Sequence, residues 1–333
     1  MNERRLTHIP YVGLLAGLAL FVGLIVYHDA AEVGAALSVA GGGVVIVALF
    51  HLLPIGLDAI GWWCVVPARE RPRIRVFVFA RWIGYSVNGL LPVMQVGGNV
   101  VRARLLARRG VPGVLAAASV VVDVTTLVFS QVLFALLGFA LLFARLGAAT
   151  PALPVVTGIG FMAVLVTAFY VAQRRGLFGG LIHNLERVVR VGGWFSASAE
   201  ALDGAVRVLY ARRRATTAAT AWHLVSWVVG AGEVWIALHL LGRPTTFTTA
   251  LLIESLGQVV RSLGFAIPGA LGVQEAGYVV LGRMADLGPE TSLALSLVQR
   301  VRDLLLGLPG LLVWWLEGAM TISQVAESRG GPG

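Results

Sequence analysis

Apolar runs long enough to cross a lipid bilayer recur along this chain, and they constrain its fold more than any other feature. The clearest runs are residues 9–27, 37–66, 114–143, 154–172, 217–241 and 292–316. Because a helix needs about 20 apolar residues to cross the hydrocarbon core, each run predicts a membrane-spanning helix. The composition agrees, since 57% of the 333 residues are hydrophobic and only 13% are charged. The sequence therefore predicts an all-α polytopic membrane protein.

The arginines predict on which side of the membrane each loop lies. All 26 basic residues are arginine, and most of them lie in residues 1–8, 67–75, 103–112 and 173–216. Because positively charged loops stay in the cytoplasm, we expect these segments and both termini to be cytoplasmic. The first apolar run is expected to be a retained span rather than a signal peptide. The absence of lysine excludes a P-loop and a Schiff-base enzyme.

Two stretches, residues 76–110 and 249–287, are too polar and too rich in Pro and Gly for simple spans. Arginines flank the first stretch on both sides, so a re-entrant helical hairpin broken within residues 91–98 would keep both flanks in the cytoplasm. Broken backbone at membrane depth is stable only where protein or a cavity surrounds it. The prediction is six full spans plus two re-entrant hairpins. Eight crossing spans are the alternative, and either count leaves both termini cytoplasmic.

The two hairpins have similar sequences. Each has an apolar residue before a proline, a glycine four or five residues later and then a polar residue. Their flanking spans run in opposite senses, which is typical of inverted-repeat transporters and would bring the two hairpin tips together near the midplane. The breaks in the hairpins are expected at Pro92, Gly97, Gly98, Pro268, Gly269 and Gly272.

Charged and amide side chains at membrane depth predict a polar path between the hairpins. An ionised side chain costs about 2.5–3.5 kcal/mol at the centre of a helix in the membrane, so such groups should face one another or a wet cavity. Arginine suits a phosphate-bearing head group because its planar fork binds two oxygens. The predicted substrate path consists of Arg81, Asn88, Gln95, Asn99, Arg102, Asp123, Arg261, Gln274, Glu275 and Arg300. Asp123 and Glu275 are also candidate proton carriers, and both a proton-coupled transporter and a passive scramblase stay open.

The rest of the chain adds few candidate sites. Residues 1–318 are expected to form one transmembrane domain and residues 319–333 a disordered tail. Residues 173–215 have two apolar stripes at helical spacing, which predicts amphipathic helices that lie on the cytoplasmic leaflet or pack on the bundle. Cys64 is the single cysteine, and no two histidines have metal-ligand spacing, so we expect no disulfide, metal or cofactor. The net charge of +9 belongs to the cytoplasmic face, and nucleic acid is not an expected partner.

The residues around both breaks resemble the flippase-like family that includes the membrane domain of lysylphosphatidylglycerol synthases. The resemblance rests on LPVMQVGGNVVRAR at 91–104 and IPGALGVQEAG at 267–277, covers about residues 10–318, and is strongest to a hopanoid-biosynthesis-associated branch. It implies a bacterial inner-membrane protein that translocates or handles lipids, with hopanoids or other polyprenyl-derived lipids as cargo. Anionic lipids are a further candidate cargo because of the arginines at membrane depth, and lipid-biosynthesis or lipid-export proteins are candidate partners. Members commonly carry Glu where this chain has Asn99, so either an acid at that position is not essential here or its role has moved to another residue.

Two other functions stay open at this point. One is an intramembrane lipid-modifying transferase, although the sequence has no evident nucleophile–base pair and no DDxxD-like metal motif. Lysyl transfer is not expected, because only residues 317–333 follow the last apolar run. The other is a membrane scaffold for lipid-biosynthesis enzymes, docked through residues 173–215. The leading expectation is a lipid translocase that is not an enzyme.

Overall fold

The computed structural model describes residues 22, 30–91, 96–146, 199–264, 267 and 270–329. These residues are helical apart from short connections, and no strand occurs among them. The predicted all-α class is therefore confirmed for this part of the chain. The predicted spans at 9–27 and 154–172 lie almost wholly outside the described residues, as does most of the amphipathic segment.

The helices follow one another with short connections. The first half contains α1 (Ala30–Ala40), a 3-10 turn (Gly41–Gly43), α2 (Val44–Val65), α3 (Ile74–Leu90), α4 (Gly97–Arg108) and α5 (Gly113–Leu146). The second half contains α6 (Ala199–Ala211), α7 (Arg213–Leu240), α8 (Phe247–Leu263), α9 (Val273–Met284) and α10 (Pro289–Arg329). Helix α10 includes the predicted span at 292–316, and its backbone continues through much of the segment for which the sequence predicts a disordered tail.

Three helical segments of the described chain are long and apolar enough to cross a membrane. They are Ser38–Val65, Gly113–Arg145 and Arg213–Leu240. They coincide with the spans predicted at 37–66, 114–143 and 217–241. The multi-pass membrane class is therefore confirmed.

Large apolar side chains cover the outside of the bundle, while charged side chains lie inside it. Leu49 of α2 and Leu312 and Trp315 of α10 are more than half exposed, whereas Asp123 and Glu275 are fully buried. This arrangement suits a surrounding of lipid, because hydrocarbon solvates apolar side chains and excludes charged ones.

Each of the two polar stretches forms a pair of packed helices separated by a break. Helices α3 and α4 approach so closely at Gly98 that a Cβ there would lie 2.1 Å from the carbonyl oxygen of Gly84. The Gly98 N–H donates to Asn88 Oδ1 at 2.7 Å, which ties the start of α4 to the end of α3. In the second pair, a Cβ at Gly277 of α9 would lie 2.4 Å from Val260 Cγ1 of α8. The predicted helix–break–helix pattern is therefore present in both stretches.

A Gly98→Ala variant is expected to lose about 1–3 kcal/mol of its free energy of unfolding. The new Cβ meets backbone at Gly84, so relief requires the two helices to separate. Denaturant titration in detergent micelles measures the loss. Gly89→Ala on the same hairpin is the matched control, because no atom of the described part of the chain lies within 4 Å of that Cβ position. An equal loss in both variants would contradict the close helix packing.

Helix α6 packs on the bundle. Leu202 and Leu209 of this helix are buried against Ala118 and Val122 of α5. Leu202 and Leu209 belong to the second apolar stripe of the amphipathic segment at residues 173–215. The described part of this segment therefore packs on the bundle, which is one of the two predicted alternatives.

Candidate functional site

Five ionisable side chains from five helices are buried together beside the first hairpin. We call them the first cluster: Asp58 of α2, Arg81 of α3, Arg102 of α4, Asp123 of α5 and His223 of α7. Arg81 donates to Asp123 Oδ2 at 2.6 Å and to Asp58 Oδ2 at 3.0 Å. Arg102 donates to the same oxygen of Asp123. Two guanidinium groups therefore neutralise Asp123 inside the bundle, where an unpaired charge would be costly.

Arg102 is fixed by its neighbours on several sides. Its guanidinium lies 4.3 Å from the ring centre of Trp62 and donates to Asn99 Oδ1 at 3.1 Å. The side chain is only 4% exposed, and its Nε has no hydrogen-bond partner among the residues that the structure describes. The lack of a side chain at Gly84 provides the space for its aliphatic stem. Arg102 therefore faces protein rather than lipid.

A second cluster lies beside the second hairpin. It consists of His51 of α2, Tyr85 of α3, Glu233 of α7, Arg261 of α8, and Arg302 and Asp303 of α10. Arg302 binds both Glu233 and Asp303, the latter at 2.7 Å. Asp303 also accepts a hydrogen bond from Tyr85 Oη and lies 3.5 Å from Arg261 Nη2. Asp303 therefore links the first hairpin, through Tyr85, to the second, through Arg261.

Polar contacts continue from the second cluster to the end of α9. Arg261 Nε donates to Gln274 Oε1 at 2.9 Å, and Gln274 Nε2 lies 3.2 Å from Ser296 Oγ. Ser296 Oγ donates to Glu275 Oε1 at 3.0 Å, and Arg300 Nε donates to the same oxygen at 3.0 Å. A continuous series of polar side chains therefore runs from Asp303 to Arg300.

Glu275 also stabilises the start of α9. Its Oε2 accepts a hydrogen bond from the Gly272 N–H at 2.6 Å. Gly272 has φ of 76°, a left-handed conformation that favours glycine. A carboxylate in the first turn interacts favourably with the helix dipole and with an otherwise unpaired N–H. Glu275 therefore has a structural role besides its contact with Arg300.

The hydrogen bonds bring the predicted path residues into two groups. The first cluster and its immediate neighbours include Arg81, Asn88, Asn99, Arg102 and Asp123. The second cluster and its extension include Arg261, Gln274, Glu275 and Arg300. Gly97, Gly98 and Gly272 border the breaks of the two hairpins. The other predicted residues, Pro92, Gln95, Pro268 and Gly269, lie outside the described residues, and with them the predicted meeting of the hairpin tips.

Both proton-carrier candidates are paired with arginines that are distant in sequence. We singled out Asp123 and Glu275 because no opposite charge lies within four residues of either. In the fold, Arg81 and Arg102 contact Asp123, and Arg300 contacts Glu275. Spacing along one helix says nothing about charges that arrive from neighbouring helices.

Sequence reasoning missed the histidines that connect α2 with α7. His51 Nδ1 lies 2.6 Å from Glu233 Oε2, and His223 Nδ1 lies 2.8 Å from Asp58 Oδ1. The two pairs are reciprocal, since each helix contributes one histidine and one acid. A usable signal exists, because His51 and Asp58 are seven residues apart in an apolar helix and so share one face. Ionisable groups on one face of a spanning helix predict contact with protein.

The two hairpins share an Arg–Asp pairing at the same sequence separation. Arg81 and Asp123 are 42 residues apart, and Arg261 and Asp303 are also 42 residues apart. In this register RWIGYSVNGLL at 81–91 aligns with RSLGFAIPGAL at 261–271, and Arg, two Gly and Leu coincide. The register differs from the one that superposes Pro92 on Pro268. The register that superposes the two prolines therefore does not superpose the two Arg–Asp pairs.

Comparison with known protein families gives one match that spans most of the chain. The family model described as Lysylphosphatidylglycerol synthase TM region matches residues 14–310, a range that contains both hairpins and both clusters. No curated protein matches the chain, and no solved structure matches it.

Proposed function

The chain belongs to the lysylphosphatidylglycerol synthase transmembrane-region family, as the sequence resemblance predicts, and we propose that it is a lipid translocase. Its membership makes it a multi-pass membrane protein in lipid metabolism. The proposed activity is flippase- or scramblase-like movement of hopanoids, other polyprenyl-derived lipids or anionic lipids in the bacterial inner membrane. Lipid-biosynthesis or lipid-export proteins are proposed as further partners.

One observation carries this proposal: Asp303 joins the two hairpins inside the bundle. It contacts Tyr85 of the first hairpin and Arg261 of the second. A membrane protein that only anchors or supports others has no need for charged side chains at this depth, because each one is costly to insert. A polar connection between two broken helical units instead suits the passage of a lipid head group while the acyl chains stay in the membrane.

The described packing also supports an inverted repeat, which we propose together with six full spans and two re-entrant hairpins. The first unit consists of α2, the hairpin α3–α4 and α5, and the second of α7, the hairpin α8–α9 and α10. Helix α5 packs on α7 and α8, while α10 packs on α2 and α3. This reciprocal pattern, with the equally spaced Arg–Asp pairs, is what two related units would produce around a shared site. Both termini would then be cytoplasmic.

Arg261 and Arg300 are the arginines that we propose to contact the head group. Their side chains are 30% and 15% exposed, respectively, so an anion could approach them. A guanidinium can bind two phosphate oxygens in a planar fork. Arg81 and Arg102 are more deeply buried and bind Asp123, so we assign them to positioning the first hairpin rather than to direct contact with lipid.

An Arg261→Gln variant is expected to exchange anionic lipid between leaflets about 10- to 100-fold more slowly than the unchanged protein. The expected size follows from the loss of one hydrogen bond to a charged group, worth about 1.5–3 kcal/mol. The measurement uses vesicles that contain purified protein and fluorescent phosphatidylglycerol, with dithionite quenching of the outer leaflet.

Arg283→Gln on α9 is the matched control, because this arginine is exposed outside both clusters. Size-exclusion chromatography establishes that both variants are folded. If the unchanged protein exchanges neither phosphatidylglycerol nor a polyprenyl lipid faster than protein-free vesicles, the translocase proposal is wrong. Equal lipid-exchange rates in Arg261→Gln and Arg283→Gln would mean that Arg261 does not contact the head group.

A further inference from the structure

His223 lies between two carboxylates in the first cluster. Its Nδ1 is 2.8 Å from Asp58 Oδ1, and its Nε2 is 3.0 Å from Asp123 Oδ1. The ring is fully buried. Both ring nitrogens are therefore within hydrogen-bonding distance of acidic oxygens that belong to two different helices.

The chemistry of imidazole makes this geometry informative. A neutral imidazole has one N–H and one lone pair, while an ionised carboxylate can only accept hydrogen bonds. A neutral ring between two carboxylates would leave one lone pair facing another. Two good hydrogen bonds require one additional proton in the trio. We propose that His223, Asp58 and Asp123 form a proton-binding site, with the bound proton on the His223 ring.

The charged side chains around His223 determine how the bound proton changes the net charge of the first cluster. Arg81 from α3 binds both carboxylates, and Arg102 from α4 binds Asp123. With the ring protonated, three cationic groups face two carboxylates, whereas without the proton the charges balance. Proton binding therefore adds one positive charge to the centre of the bundle.

Asp58 offers the route by which the proton enters and leaves. Its side chain is 20% exposed, while His223 and Asp123 are fully buried. The proton moves from water to Asp58 Oδ1 and then to His223 Nδ1, and it leaves by the reverse steps with no other bond changed. Gly61, one turn after Asp58 on α2, leaves room for the ring, since a Cβ there would lie 2.9 Å from His223 Cε1.

Proton loss would break the hydrogen bond between His223 of α7 and Asp58 of α2. A neutral ring keeps its bond to the buried Asp123 and loses the one to Asp58. Because an added positive charge inside the bundle favours the binding of an anion, proton binding at His223 and anionic head-group binding at Arg261 and Arg300 should each strengthen the other. This coupling rests on the proposed translocase function, whereas the proton site itself does not.

Nitrogen-15 NMR of histidine-labelled protein in nanodiscs tests the site directly. The His223 signals are assigned by their loss in His223→Gln, with His239→Gln as the control, since His239 lies on the same helix and bonds to the Trp235 carbonyl. We expect both His223 nitrogens to carry a proton at neutral pH. In Asp58→Asn, where the amide can donate to Nδ1, we expect only one of the two His223 nitrogens to carry a proton. A singly protonated His223 in the unchanged protein would overturn the proposal.

Lipid exchange under a pH gradient tests the coupling. Vesicles with fluorescent phosphatidylglycerol are compared with and without a gradient, and an ionophore abolishes the gradient as a control. We expect a gradient-dependent change of rate that persists in His239→Gln and is lost in His223→Gln and Asp58→Asn. An exchange rate that does not depend on the gradient would overturn the coupling but would not contradict the translocase proposal. No exchange at all refutes the translocase, while the NMR result still decides the proton site.

Discussion

An Asp123→Asn variant is expected to lose about 3–5 kcal/mol of its free energy of unfolding. The fully buried carboxylate contacts Arg81, Arg102 and His223 at once. Asparagine preserves the shape but removes the charge, so two guanidinium groups are left close together with only Asp58 to balance them. Denaturant titration in detergent micelles, followed by tryptophan fluorescence, measures the loss.

Asp286→Asn is the matched control for this prediction. Asp286 pairs with Arg145 at 2.6 Å, but its side chain is 86% exposed. Exposed ion pairs contribute only about 0–1 kcal/mol, so the same substitution there should have a small effect. Similar losses in the two variants would mean that water reaches Asp123 and that the first cluster is not a buried charge network.

The helical pairs within the polar stretches could be predicted from local sequence. Proline and glycine interrupt helices wherever they occur, and arginine counts restrict the topology regardless of tertiary contacts. Helix α3 ends at Leu90 and helix α4 begins at Gly97, in agreement with the break predicted within residues 91–98. What local patterns could not supply is how closely the two helices approach, which depends on Gly84 facing Gly98.

The membership of each cluster depended on contacts between distant helices. Arg81, Arg102 and Asp123 were expected to share a polar environment because charges avoid hydrocarbon, and they do. That rule does not state which charges meet. Asp58 and His223 are 165 residues apart, and their contact follows only from the pairing of α2 with α7.

The separation of the path into two groups also has a physical reason. The sequence predicts one polar path between the two hairpins. In the fold, α2 and α7 contribute two histidine–acid pairs, and a different arginine contacts each pair: Arg81 of α3 binds Asp58, whereas Arg302 of α10 binds Glu233. Arginine side chains reach the closest carboxylate, so the charges divide into locally neutralised clusters rather than gather at one point.

Arg302→Met should be the most destabilising substitution in the second cluster, with an expected loss of about 3–5 kcal/mol. The guanidinium is nearly inaccessible and binds both Glu233 and Asp303. Methionine fills a similar volume without charge. Asp303 keeps Tyr85 and Arg261 as partners, whereas Glu233 keeps only His51 among the described residues of this cluster. The uncompensated Glu233 therefore dominates the loss.

Removal of that carboxylate should restore stability, and this outcome separates buried charge from lost packing. In the double variant Arg302→Met with Glu233→Leu we expect at least half of the loss to be recovered, because apolar replacement of both partners of a buried pair is often neutral. Arg109→Met is the control, since this half-exposed arginine pairs with Glu317 at 2.7 Å and its loss should cost about 1 kcal/mol or less. If the double variant is less stable than Arg302→Met alone, packing rather than charge compensation holds α7 against α10.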